Sequence, residues 1–187
     1  MENRLQNYLI EGEKILWTGA PKFVLLDKTN KPFILAKAAI VVVAIAMFIA
    51  YYFSFVSATG GELKLSVFLV CAALAALTIS PELLDARKLK NTCYAITDRR
   101  LISLIGANVE SVEFSKIKTY GFGEDADGQI SLLCGERAMA GKPRLRRLYT
   151  VLGTRLTEDR TACDSFVFYG IDEVAPVKKL METYVTM

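Results

Sequence analysis

Two long apolar stretches, separated by only a few residues, constrain the fold of this chain more than any other feature. They occupy residues 33–57 and 63–80, and the short sequence Ala-Thr-Gly-Gly-Glu at 58–62 joins them. A helix that crosses the hydrocarbon of a bilayer needs roughly 20 mostly apolar residues. The first stretch satisfies this requirement and the second comes close to it. The pattern therefore predicts a transmembrane helical hairpin at residues 33–80.

The alternative is a pair of core helices in a soluble α protein. A helix that packs on the surface of such a core carries a polar stripe along one side. Residues 38–53 have no such stripe, and their only polar members are Tyr51 and Tyr52 at the end of the run. Tyrosines at that position are typical of the aromatic belt at a membrane interface. We therefore favour the membrane hairpin.

The basic residues around the hairpin predict its orientation. The short connection between the two stretches offers only Lys64, whereas several lysines and arginines flank the hairpin on both outer sides. By the positive-inside rule, both termini are expected in the cytoplasm, in a multi-pass protein of the cell membrane. The flanking basic residues are Arg4, Lys14, Lys22, Lys28 and Lys31 before the hairpin, and Arg87, Lys88 and Lys90 after it.

Composition excludes several classes of function. The formal net charge is +3, which gives no reason to expect a nucleic-acid partner, and the chain has no histidine. Without histidine, a Ser-His-Asp triad, a Cys-His dyad and the commonest zinc ligand are all missing. The four cysteines form no Cys-x-x-Cys pair and are expected to be reduced in the cytoplasm. We expect no metal, no cofactor and no enzymatic activity.

The pattern of apolar residues changes after the hairpin. We expect residues 1–32 to form a cytoplasmic N-terminal segment, 81–90 a basic linker, and 91–187 a folded domain. Short alternating runs predict about seven antiparallel strands, and an apolar stripe with helical spacing predicts a C-terminal amphipathic helix. We interpret Asp125-Ala126-Asp127-Gly128 as a turn, because a calcium loop would need further ligands. The clearest strands are expected at 92–97, 101–105 and 165–171, with a sixth at 145–152.

Two motifs make the chain resemble a known family. The sequence at 94–102, Tyr-Ala-Ile-Thr-Asp-Arg-Arg-Leu-Ile, resembles the Tyr-x-aliphatic-Thr-Asp/Asn-x-Arg-aliphatic signature of bacterial pleckstrin-homology (PH)-like domains. The sequence at 12–21, Gly-Glu-Lys-Ile-Leu-Trp-Thr-Gly-Ala-Pro, resembles the segment that precedes the membrane helices of such proteins. The resemblance implies a membrane α-helical hairpin followed by a PH-like domain, a split barrel capped by the C-terminal helix. It further implies a structural role for Tyr94, Thr97, Asp98 and Arg100.

Two functions fit these features. The first is a non-enzymatic interaction or assembly module, presented at the cytoplasmic face of the membrane, with an unknown protein partner or with self-association. The second is a sensor of anionic lipid headgroups, because arginines near a membrane attract anionic lipid. The basic run at 142–147 could equally be a solvated strand edge that blocks edge-to-edge pairing. The candidate lipid- or partner-binding residues are Arg99, Arg137, Lys142, Arg144, Arg146 and Arg147.

Overall fold

A computed structural model describes residues 5–22 and 31–185, apart from the side chains at 79–83, 86 and 144. The chain divides into two compact units. One is Asn30–Leu84, and the other combines Met1–Thr29 with Asp85–Met187. The described part of the N-terminal segment is therefore in the same unit as the C-terminal domain.

The first unit is helical. Helix α1 is Lys31–Thr59, and helix α2 begins at Leu65 and runs to Lys90. Within the described residues, α1 is the one helix that is long and apolar enough to cross a membrane, and none of its residues is buried. The apolar part of α2 is Leu65–Thr78, about 21 Å long at 1.5 Å per residue. The prediction of two membrane-spanning stretches is thus supported for the first only, and residues 81–90 are helical rather than a linker.

The second unit contains a four-stranded antiparallel sheet with the order β1-β2-β3-β4. The strands are β1 Ile15–Gly19, β2 Thr92–Thr97, β3 Arg100–Ile105 and β4 Asn108–Glu113. In β1, Trp17 lies opposite Ile96 of β2, and its ring stacks on Phe168 with centroids 6.3 Å apart. Trp17 therefore packs the N-terminal segment onto the domain.

Strand β2 is buried throughout because both of its faces are covered. Tyr94 and Ile96 point into the main core, whereas Cys93 and Ala95 point to the opposite side of the sheet. There they meet Leu5 from the N-terminal segment, which is fully buried. The residues before β1 therefore form a cover over the outer face of this sheet.

A second antiparallel sheet has the order β5-β6-β8-β7. Its strands are β5 Tyr120–Glu124, β6 Ile130–Cys134, β7 Arg155–Leu156 and β8 Cys163–Ile171, and a 3-10 turn at Phe114–Lys116 precedes them. The prediction of an antiparallel domain is confirmed. The described strands form two separate sheets, and they do not close into a barrel.

A helical insertion occupies the chain between β6 and β7. It consists of α3, Glu136–Ala140, and α4, Pro143–Leu152. The predicted sixth strand at 145–152 is therefore wrong. The Pro at the first turn of α4 favours a helix start, and the apolar residues recur at a spacing of three to four. The two helices cover the outer face of the second sheet, where Ala138 and Tyr149 pack against Leu133, Val167 and Tyr169.

Helix α5, Val174–Tyr184, ends the described fold. Its apolar stripe brings Val177 and Met181, followed by Val185, into the core that both sheets share. The prediction of a C-terminal amphipathic helix is confirmed.

Candidate functional site

The two sequence motifs meet in space at a buried ion pair. Glu13 precedes β1, and Arg100 begins β3. The guanidinium donates from Nε to Glu13 Oε1 and from Nη2 to Oε2, both at 2.9 Å. The Glu13 side chain is fully buried and that of Arg100 is only 15% exposed. A two-pronged contact of this kind is among the strongest that a carboxylate makes.

The tight turn between β2 and β3 completes this arrangement. The Thr97 hydroxyl donates to Glu13 Oε1 at 2.8 Å and accepts from the Arg100 backbone N–H at 3.0 Å. Two further hydrogen bonds join Lys14 and Asp98. The Lys14 N–H donates to Asp98 Oδ1 at 3.0 Å, and the Asp98 N–H donates to the Lys14 carbonyl at 3.1 Å. These contacts explain why Thr, Asp and Arg occur at this spacing, and why a Glu lies before β1.

The ion pair changes the proton affinity of both partners. Burial alone would raise the pKa of Glu13. The hydrogen bonds from Arg100, the Ile10 N–H and Thr97, together with the charge of Arg100, instead lower it to about 2. The hydrogen bond to Glu13 raises the pKa of Arg100. The guanidinium also donates to the Tyr8 carbonyl at 2.9 Å, so its hydrogen-bonding capacity is used within the fold.

Tyr94 connects the two sheets from within the core. Its ring stacks on Phe168 with centroids 4.4 Å apart, and the side chain is fully buried. The hydroxyl donates to the Tyr169 carbonyl at 3.2 Å and accepts from the Tyr169 N–H at 3.1 Å. Burial raises the pKa of Tyr94, which keeps the phenol neutral. Its contacts are all internal ones.

Arg99 differs from its neighbour Arg100, because its side chain is exposed. It lines a cleft of about 700 Å³ beside the β2–β3 turn. Lys116 also lines this cleft, but so do Asp98 and Glu113, so acidic and basic groups are mixed there. Arg100 lines the cleft as well, but its charge is paired with that of Glu13, so the remaining basic and acidic groups balance and nothing there selects an anion.

The other candidate residues lie on or beside the helical insertion, and the structure separates them. Arg137 pairs with Asp164 at 3.8 Å, and Lys142 is exposed just before α4. Arg147 is half-buried on α4, and the side chain of Arg144 lies outside the described residues.

Arg146, predicted as a residue that binds lipid or a partner at the surface, is instead buried. It is only 9% exposed and donates from Nη1 to the Glu124 carbonyl at 2.9 Å. Its guanidinium also fills the space beside Gly123, where a Cβ would collide with it. Arg146 therefore holds α4 against β5 and is withdrawn from the surface. The run of arginines alone could not indicate this, because the helix that turns Arg146 inward was predicted as a strand.

The turn at 125–128 has the structure of a hairpin turn. Asp125 accepts from the N–H groups of Asp127 and Gln129, both at 2.9 Å, and from the Tyr169 hydroxyl at 3.1 Å. Its carboxylate is used within the turn. Across the described residues, no group of three or more cysteine, aspartate or glutamate side chains is placed to hold a metal ion.

Comparisons of the chain with protein-family models, with curated proteins and with solved structures gave no match.

Proposed function

We propose that the chain is a membrane-anchored, non-enzymatic interaction or assembly module, whose folded domain lies at the cytoplasmic face of the cell membrane. The observation that carries this proposal is the pairing of β1 with β2. Strand β1 precedes α1, and β2 follows α2, yet both belong to one sheet. This pairing supports our proposal that the chain returns to the side of the membrane on which β1 lies.

This pairing favours a second crossing by α2. A single crossing by α1 would leave β1 and β2 on opposite sides of the bilayer. The apolar part of α2, about 21 Å long, is shorter than the roughly 30 Å of hydrocarbon. Local thinning of the bilayer accommodates a short helix at a modest cost in free energy. We therefore propose that α2 makes the return crossing and that both termini are cytoplasmic, as the basic flanking residues favour.

We also propose that the folded unit is a PH-like domain. Two antiparallel sheets that share a core with a C-terminal helix support this, together with the position of the motif residues at the β2–β3 turn. The motif side chains of Thr97 and Arg100 are engaged in internal contacts, which favours a fold-stabilising role for them over a catalytic one.

Assembly would use the open edges of the sheets. Strands β1 and β4 lie at the edges of the first sheet, and β5 and β7 at those of the second. An edge strand presents backbone groups to which another strand can bind. This supports a second copy or a partner with an extended segment.

Flotation with lipid after alkaline treatment tests the anchor. The full chain is expected to float. Replacement of Val43 and Met47 in the middle of α1 by arginine should prevent this, since each charge at the bilayer centre costs about 3 kcal/mol. Arginines at Ala175 and Thr183, both exposed on α5, add the same two charges outside the anchor; this matched control should float. A doubly substituted α1 that still floats would overturn the anchor, and chemical cross-linking of the floated protein tests self-association.

The headgroup-sensor function is supported less well. Those of its candidate residues whose side chains are described do not line one pocket: Arg146 is buried, Arg137 is paired with an acid, and Arg99 lines a different cleft. The exposed side of α4 is the candidate surface that remains for binding lipid, and it is not a pocket.

A further inference from the structure

Helix α4 packs on the second sheet through a mixed face, in which Tyr149 lies beside polar side chains, and it leaves two leucines on the outside. Its buried face carries Arg146 and Thr150, and its outer face carries Leu148 and Leu152, which are 40% and 49% exposed. A helix on a soluble core normally buries its leucines and exposes its arginines. The arrangement on α4 therefore leaves apolar side chains without a core to enter.

Polar contacts hold α4 in this orientation. The Arg146 guanidinium donates to the Glu124 carbonyl at 2.9 Å, and the Thr150 hydroxyl lies 3.3 Å from the Val167 carbonyl on β8. A rotation that buried the leucines would break both contacts and expose the carbonyl groups that they satisfy. The outward position of Leu148 and Leu152 is thus a consequence of how the helix is attached.

Exposed apolar side chains of the folded unit are concentrated in this region. Four of its seven exposed large apolar residues lie between positions 139 and 156. The seven, taken from the described residues of this unit, are Tyr8, Ile10, Leu16, Met139, Leu148, Leu152 and Leu156.

Basic residues adjoin these leucines, although Arg146 is buried and Arg137 pairs with Asp164. Residues 137–155 contain six arginines and lysines and not one acidic residue. Lys142, just before α4, is exposed, and Arg147 adjoins Leu148. Leucines beside arginines and lysines on one helix are typical of segments that lie in the interface of an anionic membrane. A protein partner would have to supply both an apolar patch and a surplus of acids.

We propose that the outer face of α4 binds the anionic surface of the bilayer to which the chain is anchored. This rests on the proposed function, because the anchor keeps the local concentration of α4 at the membrane high. The leucines enter the headgroup region while Lys142 and Arg147 meet anionic lipid. Each basic residue near the surface raises the binding constant about five-fold.

A fluorescent label on Leu148→Cys tests this in the full chain. The native cysteines, Cys71, Cys93, Cys134 and Cys163, are all buried, so a maleimide dye labels the new thiol selectively. The labelled protein is placed in nanodiscs of phosphatidylcholine, with or without phosphatidylglycerol, that contain spin-labelled lipid as a quencher. The control carries the label at Lys179→Cys, an exposed site on α5.

We expect the label at position 148 to be quenched several-fold more in discs with phosphatidylglycerol than in discs without it, and to lose this quenching in high salt. The label at 179 should show no such dependence. Lys142→Gln combined with Arg147→Gln should weaken the contact about 25-fold. This pair leaves the buried contacts of Arg146 and Thr150 in place.

Three results would overturn the proposal. Quenching at 148 that is absent in both kinds of disc would mean that α4 does not contact the bilayer. Quenching that depends neither on phosphatidylglycerol nor on salt would mean that the basic residues do not contribute to the contact. A label shielded from lipid and from an aqueous quencher alike would mean that a protein surface, such as a second copy, covers α4. A chain that fails to enter the discs at all would instead contradict the anchor, so the two failures are distinguishable.

Discussion

Glu13→Gln is the substitution that most directly tests how the N-terminal segment is fastened to the domain. The carboxylate accepts two hydrogen bonds from Arg100 and one from Thr97, all within 3 Å. Its pKa is lowered from 4.5 to about 2. Because one pKa unit corresponds to about 1.4 kcal/mol, the charged form of Glu13 contributes about 3 kcal/mol to stability.

The sign of the effect fixes its dependence on pH. A carboxylate with a lowered pKa stabilises the folded state above the unfolded value of 4.5, and this contribution is lost as the pH falls toward 2. We therefore expect Glu13→Gln to lower the free energy of unfolding by about 3 kcal/mol at pH 7. The difference between variant and wild type should shrink as the pH is lowered through this window.

The free energies of unfolding are measured by urea unfolding of the full chain in a neutral detergent, with tryptophan fluorescence as the signal. Trp17 is the only tryptophan and lies on β1, four residues after Glu13, so its emission reports on the affected segment. Glu11→Gln, at an exposed position two residues earlier, is the matched control and should lie within about 0.5 kcal/mol of wild type. A Glu13→Gln variant as stable as this control, with a parallel pH profile, would refute the reasoning.

Three further predictions concern the domain. Gly135→Ala should lower the free energy of unfolding by more than about 2 kcal/mol, because the φ of Gly135 is +92° and a Cβ would collide with the backbone of β8. Gly106→Ala is the control: its φ is +64°, no described atom lies within 4 Å of the added Cβ, and the cost should be only about 1 kcal/mol. Equal losses of stability for the two variants in urea unfolding would contradict this. Tyr94→Phe should cost about 1–3 kcal/mol by the same assay, because two backbone groups of β8 lose their partner; an unchanged midpoint would mean that water replaces the hydroxyl. Burial raises the pKa of Cys134, and it raises the pKa of Cys163 to about 12. Neither thiol should therefore react with maleimide at pH 8 until the protein is unfolded. Rapid labelling of the folded protein, detected by mass spectrometry, would contradict this.

Short motifs predicted the first sheet well, because its signals are local. The Tyr-x-x-Thr-Asp-x-Arg run contains its own turn, with Thr97 bonded to residues two and three positions later. In the N-terminal segment, Ile15 and Trp17 occupy alternate positions of strand β1. Its partner is β2, more than 70 residues later, which a local pattern could not identify.

The Glu13–Arg100 pair could not be predicted for the same reason. Eighty-seven residues separate the two partners. Each lies in a motif that was noted separately, and the charge complementarity between the motifs was the signal that could have connected them.

The helical insertion was mispredicted although its apolar residues recur at a spacing of three to four, and the direction in which its side chains point could not be predicted at all. Leu148 and Leu152 are exposed, whereas Arg146 and Thr150 are buried. Sequence patterns assume that apolar residues mark the buried face. Where a helix is attached through polar contacts and its apolar face is left open, that assumption fails.

The crossing of the membrane by both helices is the central claim, and labelling of Glu62→Cys in intact cells tests it most directly. Residue 62 lies between α1 and α2 and is exposed, and the native cysteines are buried. A membrane-impermeant maleimide added outside the cells should label Glu62→Cys, and should label Lys179→Cys only after permeabilisation. If position 62 stays unlabelled in intact cells while position 179 is labelled, the orientation is reversed; if neither is labelled, the chain does not cross the membrane, and either result contradicts the account.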